Sequence, residues 1–344
     1  MEDVLGGRTD PSRFDAFLAD WAAILARRVE EAVAAFADVD GVRGLVLAGG
    51  IGRGEPWPLS DIDLLPIYED RAFEEAAVEV ERRRLSILPM WTAEGWWTGL
   101  DVGKLAFGAE EVARTTADPA TLAMLDDDRW YHAVDKGYRG RAVHDPEGIA
   151  AALARWCTEH RFSPAVVSLR LARARTEVVA AERRFREAVA IGDLWSATIE
   201  LRAAVKWLRA WLLEGWGERD ASQGRLGTRF ERLARDRGRG GLVDAVRVLD
   251  DLDEESVEWR MAAAPDWVRE RHVRSWRARR HVGEEVTRTD DARDTLRVCA
   301  LYAMRRSPSR PYPAWLAVPG DAAAPAEKAA RLAALLHACG LRTT

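Results

Sequence analysis

Residues 44–68 read GLVLAGGIGRGEPWPLSDIDLLPIY, and the fold turns on this stretch. Gly44-Leu45-Val46-Leu47-Ala48 is a short apolar run bounded by glycines, the pattern of a strand covered on both faces. A loop rich in Gly and Pro follows from Gly49 to Pro58, and Asp61-Ile62-Asp63-Leu64-Leu65-Pro66-Ile67-Tyr68 reads as a second strand. Glycine leaves backbone N–H groups open to close approach by phosphate oxygens, because no Cβ stands in the way. Asp61 and Asp63 are two apart, and the strand period of two sends both carboxylates to one side, where they can share a hard cation such as Mg²⁺. Arg53 can neutralise a phosphate tail. Asp-x-Asp alone is common, and Ser60-Asp61 alone suits a turn. Coupled to Gly-Gly ten residues earlier, between two apolar strands, each part stands in the context its chemistry requires.

Working outward, Pro11 to Phe36 carries apolar residues at spacings of three and four after Asp10, the pattern of a capped amphipathic helix. Arg71 to Arg84 reads as a helix, Trp96 to Phe107 holds a third strand, and Ala109-Glu110-Glu111-Val112 opens another helix. Tyr138 to Asp145 reads as a late strand and Ile149 to Trp156 as a helix. Helix and strand alternate, so the first domain is α/β. From about Ser163 the pattern becomes nearly continuous helix, with Val166 to Ala190, Leu194 to Leu213 and Leu242 to Leu252 periodic throughout, the mark of a helical bundle. A helix near Ala292 to Arg305, a proline-rich turn over 307–313 and a final helix from Ala326 to Cys339 close the chain. The expected domains are 1–156, 157–290 and a helical extension over 291–344.

The 44–68 segment resembles the signature of the nucleotidyltransferase superfamily with the DNA polymerase β-like fold, G-[GS]-x(9–13)-D-x-D. It is most similar to the aminoglycoside and minimal nucleotidyltransferases, which read roughly G-S-x-A-R-G-x(5)-S-D-I-D-L. The matching residues are Gly49, Gly50, Arg53, Gly54, Ser60, Asp61, Ile62, Asp63 and Leu64. Gly140 to Gly148 is similar to a strand and turn that often close this domain. Gly50 stands where relatives carry serine, and Gly52 where they carry alanine, which makes for a more flexible loop. Beyond residue 156 the likeness is one of architecture only.

That resemblance implies an α/β (α+β) domain with a mixed sheet, followed by a C-terminal helical bundle that binds the acceptor. It implies two Mg²⁺ ions, an NTP co-substrate, and transfer of a nucleoside monophosphate to a hydroxyl with release of pyrophosphate. Asp61 and Asp63 become metal ligands, and Gly49, Gly50, Arg53 and Ser60 nucleotide-binding residues. A third carboxylate is implied on a later strand. Asp101, in an apolar stretch at a suitable chain distance, takes that place as metal ligand and proton acceptor, although Gly99-Leu100-Asp101 also suits a turn; Glu94 is the substitute. Lys206 is the corresponding candidate for contact with the triphosphate, against the plain reading of a solvated helix lysine.

Other features read more simply. Trp195, Trp207, Trp211 and Trp216 suit core packing better than a stacking platform, and Trp91, Trp96 and Trp97 are ambiguous in the same way. Asp126-Asp127-Asp128 and Asp250-Asp251-Leu252-Asp253-Glu254-Glu255 read as solvated charge, and Glu200 as a surface residue rather than a base. Cys157/His160 and His337/Cys339 do not match zinc spacing, and three cysteines build no disulfide framework.

Composition sets the outer bounds. The 344 residues suffice for about two domains. Hydrophobic residues make up 48% and charged ones 31%, enough for a full core. Net charge is −5 with a pI near 5.8, which disfavours nucleic acid and suits a cationic small-molecule acceptor. Four of the 51 basic residues are lysine (Lys104, Lys136, Lys206 and Lys328). Residues 1–7 show neither the basic patch nor the apolar run of a leader, and nowhere do 18 apolar residues run together, so a cytoplasmic protein without membrane contact is expected. The expected activity is antibiotic-nucleotidyltransferase-like, with ATP as donor. Nucleotidylation of a protein or RNA, as in toxin–antitoxin pairs, and a nucleotide-binding regulator without turnover are the alternatives.

Overall fold

A computed structural model describes residues 11–94, 98–117, 122–219, 224–306, 314–321 and 323–341. Residues 1–7, Trp96, Trp97 and the proline-rich turn over 307–313 lie outside the described residues. Two compact units are present, one built from Arg8–Leu169 with His281–Gly283, the other mainly from Arg170–Arg280 and Glu284–Thr344.

The first unit is a small mixed sheet between helices. Its strands are β1 (Val42–Ala48), β2 (Ile62–Tyr68), β3 (Leu100–Val102), β4 (Phe107–Gly108) and β5 (Arg141–His144). The order is β3-β2-β1-β5, with β4 also paired to β2. β1 runs antiparallel to β2 and β5, whereas β3 and β4 run parallel to β2. The third strand expected over 96–107 is thus two short ones, both leaning on β2.

Side chains sort onto the two sheet faces by strand parity. Leu45, Leu47, Ile62, Leu64 and Tyr68 join α1 (Pro11–Ala37) and α2 (Phe73–Ala93) in one core cluster. Val46, Ala48, Leu65 and Ile67 join Val112 of α3 (Ala109–Ala117), Trp130 of α4 (Asp128–Lys136) and Leu153 of α5 (Ile149–His160) in another. Covering both faces explains why β1 and β2 are apolar at almost every position.

Several expectations need correction. The loop from Gly49 to Pro58 opens with one helical turn, Gly49–Gly52. Gly52 is packed rather than flexible: a Cβ on it would lie 2.2 Å from the Leu47 carbonyl oxygen. α2 runs past Arg84, through Pro89, to Ala93, because Val80, Ile87 and Trp91 keep its buried face continuous. Asp126-Asp127-Asp128 is not mere solvated charge. Asp127 accepts the Arg129 N–H at 2.7 Å and caps α4, a helix the polar sequence concealed.

The second unit is helical among its described residues: α6 (Pro164–Ala190, which begins before the unit boundary), α7 (Leu194–Gly215), α8 (Leu226–Asp236), α9 (Gly240–Leu249), α10 (Glu254–Ala263), α11 (Asp266–His281), α12 (Arg288–Arg306) and α13 (Ala323–Ala338). The four tryptophans expected to pack in its core do so. Trp195 is buried, and Trp207, Trp211 and Trp216 pack against the cluster centred on α7, with Trp216 stacked on Phe230 at 5.7 Å.

The acidic run at 250–255 is solvated only in part: Glu254 and Glu255 are exposed, whereas Asp250 is buried. Asp250 is 3% exposed, and its Oδ2 accepts from Arg209 at 2.9 Å and Arg297 at 3.2 Å. Burial raises the pKa of its carboxyl, but the guanidinium groups of Arg209 and Arg297 outweigh burial and hold it below the ordinary value. Asp253 caps α10 by accepting the Ser256 N–H at 3.0 Å. Arg297 also reaches Asp294 at 3.0 Å, and Arg279 bridges Asp294 and Asp291, so the ion pairs form a connected network through α11 and α12. No helix among the described residues is long and apolar enough to cross a membrane.

Candidate functional site

The carboxylates are positioned by β1, β2 and β3. Asp63 is the second residue of β2, opposite Ala48 on β1 and Asp101 on β3. By parity it shares its face with Leu65 and Ile67, which puts it on the side covered by α4 and α5. Asp61 precedes the strand by one residue on the same side, exposed where Asp63 is 9% exposed. Asp101 lies between Leu100 and Val102, both of which pack on the opposite face, so parity turns it toward Asp63. Asp63 and Asp101 thus stand side by side on two parallel strands about 4.8 Å apart, with Asp61 one residue before β2.

Two glycines make this arrangement possible. Gly49 has φ +63, and a Cβ on it would lie 1.9 Å from Asp63 Oδ2. At Gly99, whose carbonyl accepts the Ile62 N–H at 2.7 Å, a Cβ would lie 2.1 Å from Asp61 Oδ1. Each carboxylate occupies the volume a side chain would fill. Gly49 is legible in the sequence as part of Gly-Gly, whereas Gly99 signals only a turn there.

The remaining motif residues shape the loop. Ser60 is buried, and its Oγ accepts the Trp57 N–H at 2.9 Å, closing the turn that delivers Asp61. A Cβ on Gly50 would come within 3.9 Å of that Oγ and 3.4 Å of the Glu55 carbonyl oxygen, so the Ser60 hydroxyl stands close to the space a side chain at position 50 would enter. Arg53, mostly buried, pairs through Nε with Glu55 at 3.2 Å. Gly140 packs against the same loop, its Cα 3.5 Å from where a Gly52 Cβ would stand, and Asp145 accepts the Ala150 and Ala151 N–H groups to start α5.

Two lysines enter unannounced. Lys136, the last residue of α4, places its Nζ on Asp63 Oδ1, and Lys104 places its Nζ 2.9 Å from Asp101 Oδ1. Their rarity was the one sequence signal available. Lys206, the lysine selected from sequence, belongs to the helical unit, where its Nζ lies 5.4 Å from the ring centroid of Trp207. Glu94, the substitute for Asp101, sits just past the end of α2 and not on a strand, paired with Arg27 at 2.7 and 3.2 Å. Glu200 pairs with Arg184 at 2.8 Å, and Cys157 is buried with its thiol directed to the Ala133 carbonyl.

Among the described residues, no three His, Cys, Asp or Glu side chains converge as a ready cluster for one ion. Asp63 and Asp101 are instead each turned to a lysine. The oxygen-only donor set, the matched register and the cradle left by Gly49 and Gly99 nevertheless fit a hard divalent cation, which takes carboxylate oxygens in preference to nitrogen or sulfur.

No protein-family model matches the chain, and neither the curated proteins nor the solved structures contain a significant match to it.

Proposed function

We propose that the 8–169 unit transfers a nucleoside monophosphate from an NTP, ATP being the expected donor, to a hydroxyl of a small molecule. The observation that carries this reading is the pairing of Asp63 with Asp101 across β2 and β3, beside glycines whose absent side chains leave the carboxylates their space. It adds a third carboxylate, at the matching register, to the Gly-Gly and Asp-x-Asp elements of the sequence.

In this reading Asp61, Asp63 and Asp101 hold Mg²⁺, which when bound would polarise the attacking oxygen and stabilise the leaving pyrophosphate. The acceptor hydroxyl oxygen forms a bond to the α-phosphorus as the bond from that phosphorus to the α–β bridging oxygen breaks. Asp101 takes the hydroxyl proton, and pyrophosphate departs with the electron pair of the broken bond. Gly50 offers backbone alone to the phosphates, while Ser60 keeps the turn closed. The helical unit is the proposed acceptor-binding part. A net charge of −5 favours a cationic acceptor over a nucleic acid.

Mg²⁺-dependent pyrophosphate release, measured with each of the four NTPs against a panel of hydroxyl acceptors, tests this. Release that requires one acceptor and disappears in Asp63→Asn supports the transfer. Binding of ATP and metal with no release against any acceptor, protein and RNA included, would leave a nucleotide-binding regulator in its place.

A further inference from the structure

Lys104 and Lys136 are the two lysines of the sequence within residues 8–169, where every other strong base is arginine, and each is set on a carboxylate of the β2–β3 pair. Arginine and lysine are not equivalent in that position. A guanidinium grips a carboxylate with a planar fork through two parallel bonds, whereas an ammonium is a compact, strongly hydrated point charge on one oxygen. The chain uses the fork where a carboxylate is locked, as in Arg27 on Glu94. It uses the point charge on Asp63 and Asp101.

The support behind Lys136 is fixed. It ends α4, whose Trp130, Ala133 and Val134 are buried in the core. Gly137, which follows, donates its N–H to the Ala133 carbonyl at 2.7 Å and packs so closely on α5 that a Cβ there would lie 2.8 Å from Cys157 Sγ. The end of α4 therefore aims Lys136 at β2. The side chain is itself 41% exposed, against 12% for Asp63, so the ammonium can swing into solvent or onto another anion without disturbing the core.

We propose that Lys136 is an exchangeable counter-ion. It competes with a divalent cation for Asp63 Oδ1 and transfers to a phosphate oxygen when a triphosphate enters, so that metal and triphosphate each raise the affinity of the other. The proposal rests on the nucleotidyltransferase reading. Its physical basis is that one carboxylate oxygen cannot hold an ammonium and a metal ion in the same place. By linkage, the factor by which triphosphate improves metal binding equals the factor by which metal improves triphosphate binding. Lys136 is in this sense a positioning residue, and Lys104 has the same relation to Asp101 in a more exposed setting.

The test is equilibrium binding of Mn²⁺ to the full chain, followed by the loss of the free-ion electron paramagnetic resonance signal. It is run with and without an ATP analogue bearing a methylene bridge between the α- and β-phosphorus. Without nucleotide, Lys136→Met binds Mn²⁺ about 5-fold or more tightly than the unsubstituted chain. The analogue then improves Mn²⁺ binding by a correspondingly smaller factor in Lys136→Met. Lys136→Gln, polar and close in length, repeats the measurement, and near-ultraviolet circular dichroism verifies the fold of both. Equal or weaker Mn²⁺ binding by the variants overturns the exchange while leaving the metal site standing. If neither the unsubstituted chain nor a variant binds Mn²⁺, with or without analogue, and Asp63→Asn changes nothing, the nucleotidyltransferase reading falls as well.

Discussion

Asp63 on β2 and Asp101 on β3 are direct partners across a parallel ladder, each with a lysine ammonium on its Oδ1. Their equivalence ends there, for Asp63 is buried against Gly49 whereas the Asp101 side chain is 34% exposed. Substitution should separate the roles. On the proposed transfer, Asp101→Asn lowers kcat for pyrophosphate release by about 10²–10⁴-fold, the usual contribution of a positioned base, and weakens Mn²⁺ binding less than Asp63→Asn does, because Asp101 is the more exposed ligand. Asp63→Asn lowers the rate at least as far and also weakens Mn²⁺ binding. The comparison requires steady-state kinetics beside the binding titration.

The glycine loop makes a stability prediction with an internal control. Gly52→Ala brings a Cβ within 2.2 Å of a backbone carbonyl that cannot move without β1, so a loss of about 1–3 kcal/mol is expected, as for an overpacked core. Gly54→Ala meets open space and bears only the strain of φ +76, about 1–2 kcal/mol. Gly49→Ala displaces the end of the Asp63 carboxylate, so activity suffers more than folding does. Urea titrations of the three variants, read beside their turnover, provide the order.

In the helical unit, Asp250→Ala leaves Arg209 and Arg297 buried without their shared carboxylate. Loss of one partner from such a site costs about 3–5 kcal/mol, against under 0.5 kcal/mol for most surface substitutions. Asp250→Leu combined with Arg209→Met and Arg297→Met recovers part of that loss, because the three charges leave together while Asp294 and Glu231 lose their contact with Arg297. Chemical denaturation of the single and triple variants decides it.

Asp250 also ties folding to acidity. Its folded-state pKa lies below the ordinary 3.8, so its contribution is fully present above that value and is lost as pH falls through the folded pKa. Melting temperature should therefore drop more steeply below about pH 4 in the unsubstituted chain than in Asp250→Asn, which has no proton to take up. Thermal melts between pH 7 and pH 3 measure the difference in slope.

What could be read from the residues followed distance along the chain. β1, β2, the Gly-Gly turn and Asp61/Asp63 lie within 27 consecutive residues, where strand parity and turn chemistry are sufficient guides. Asp101 was legible as an acid in an apolar stretch, but its register required the β2–β3 pairing. α4 was hidden because DRWYHAVDK has polar residues around its apolar stripe and begins in a run of aspartates. The contact of Lys136 with Asp63 was illegible too, since nothing local connects it to a residue 73 positions earlier. Asp250 looked solvated because its neutralising arginines stand 41 and 47 residues away in sequence. Charge runs disclose their partners only when the helices are packed.

β3 is three residues long and lies at the edge of the sheet, with β2 as its one neighbour along the strand order. The carboxylate spacing consequently depends on one of the smallest cooperative pieces of the unit, one that can fray while β1 and β2 stay protected. On the proposed transfer, competence is a matter of occupancy in time: the fraction of molecules with β3 docked sets the fraction able to react. Amide exchange at Val102, set against that at Leu64, would report this fraction directly, and a ligand joining Asp63 to Asp101 would act as a staple on the edge of the sheet.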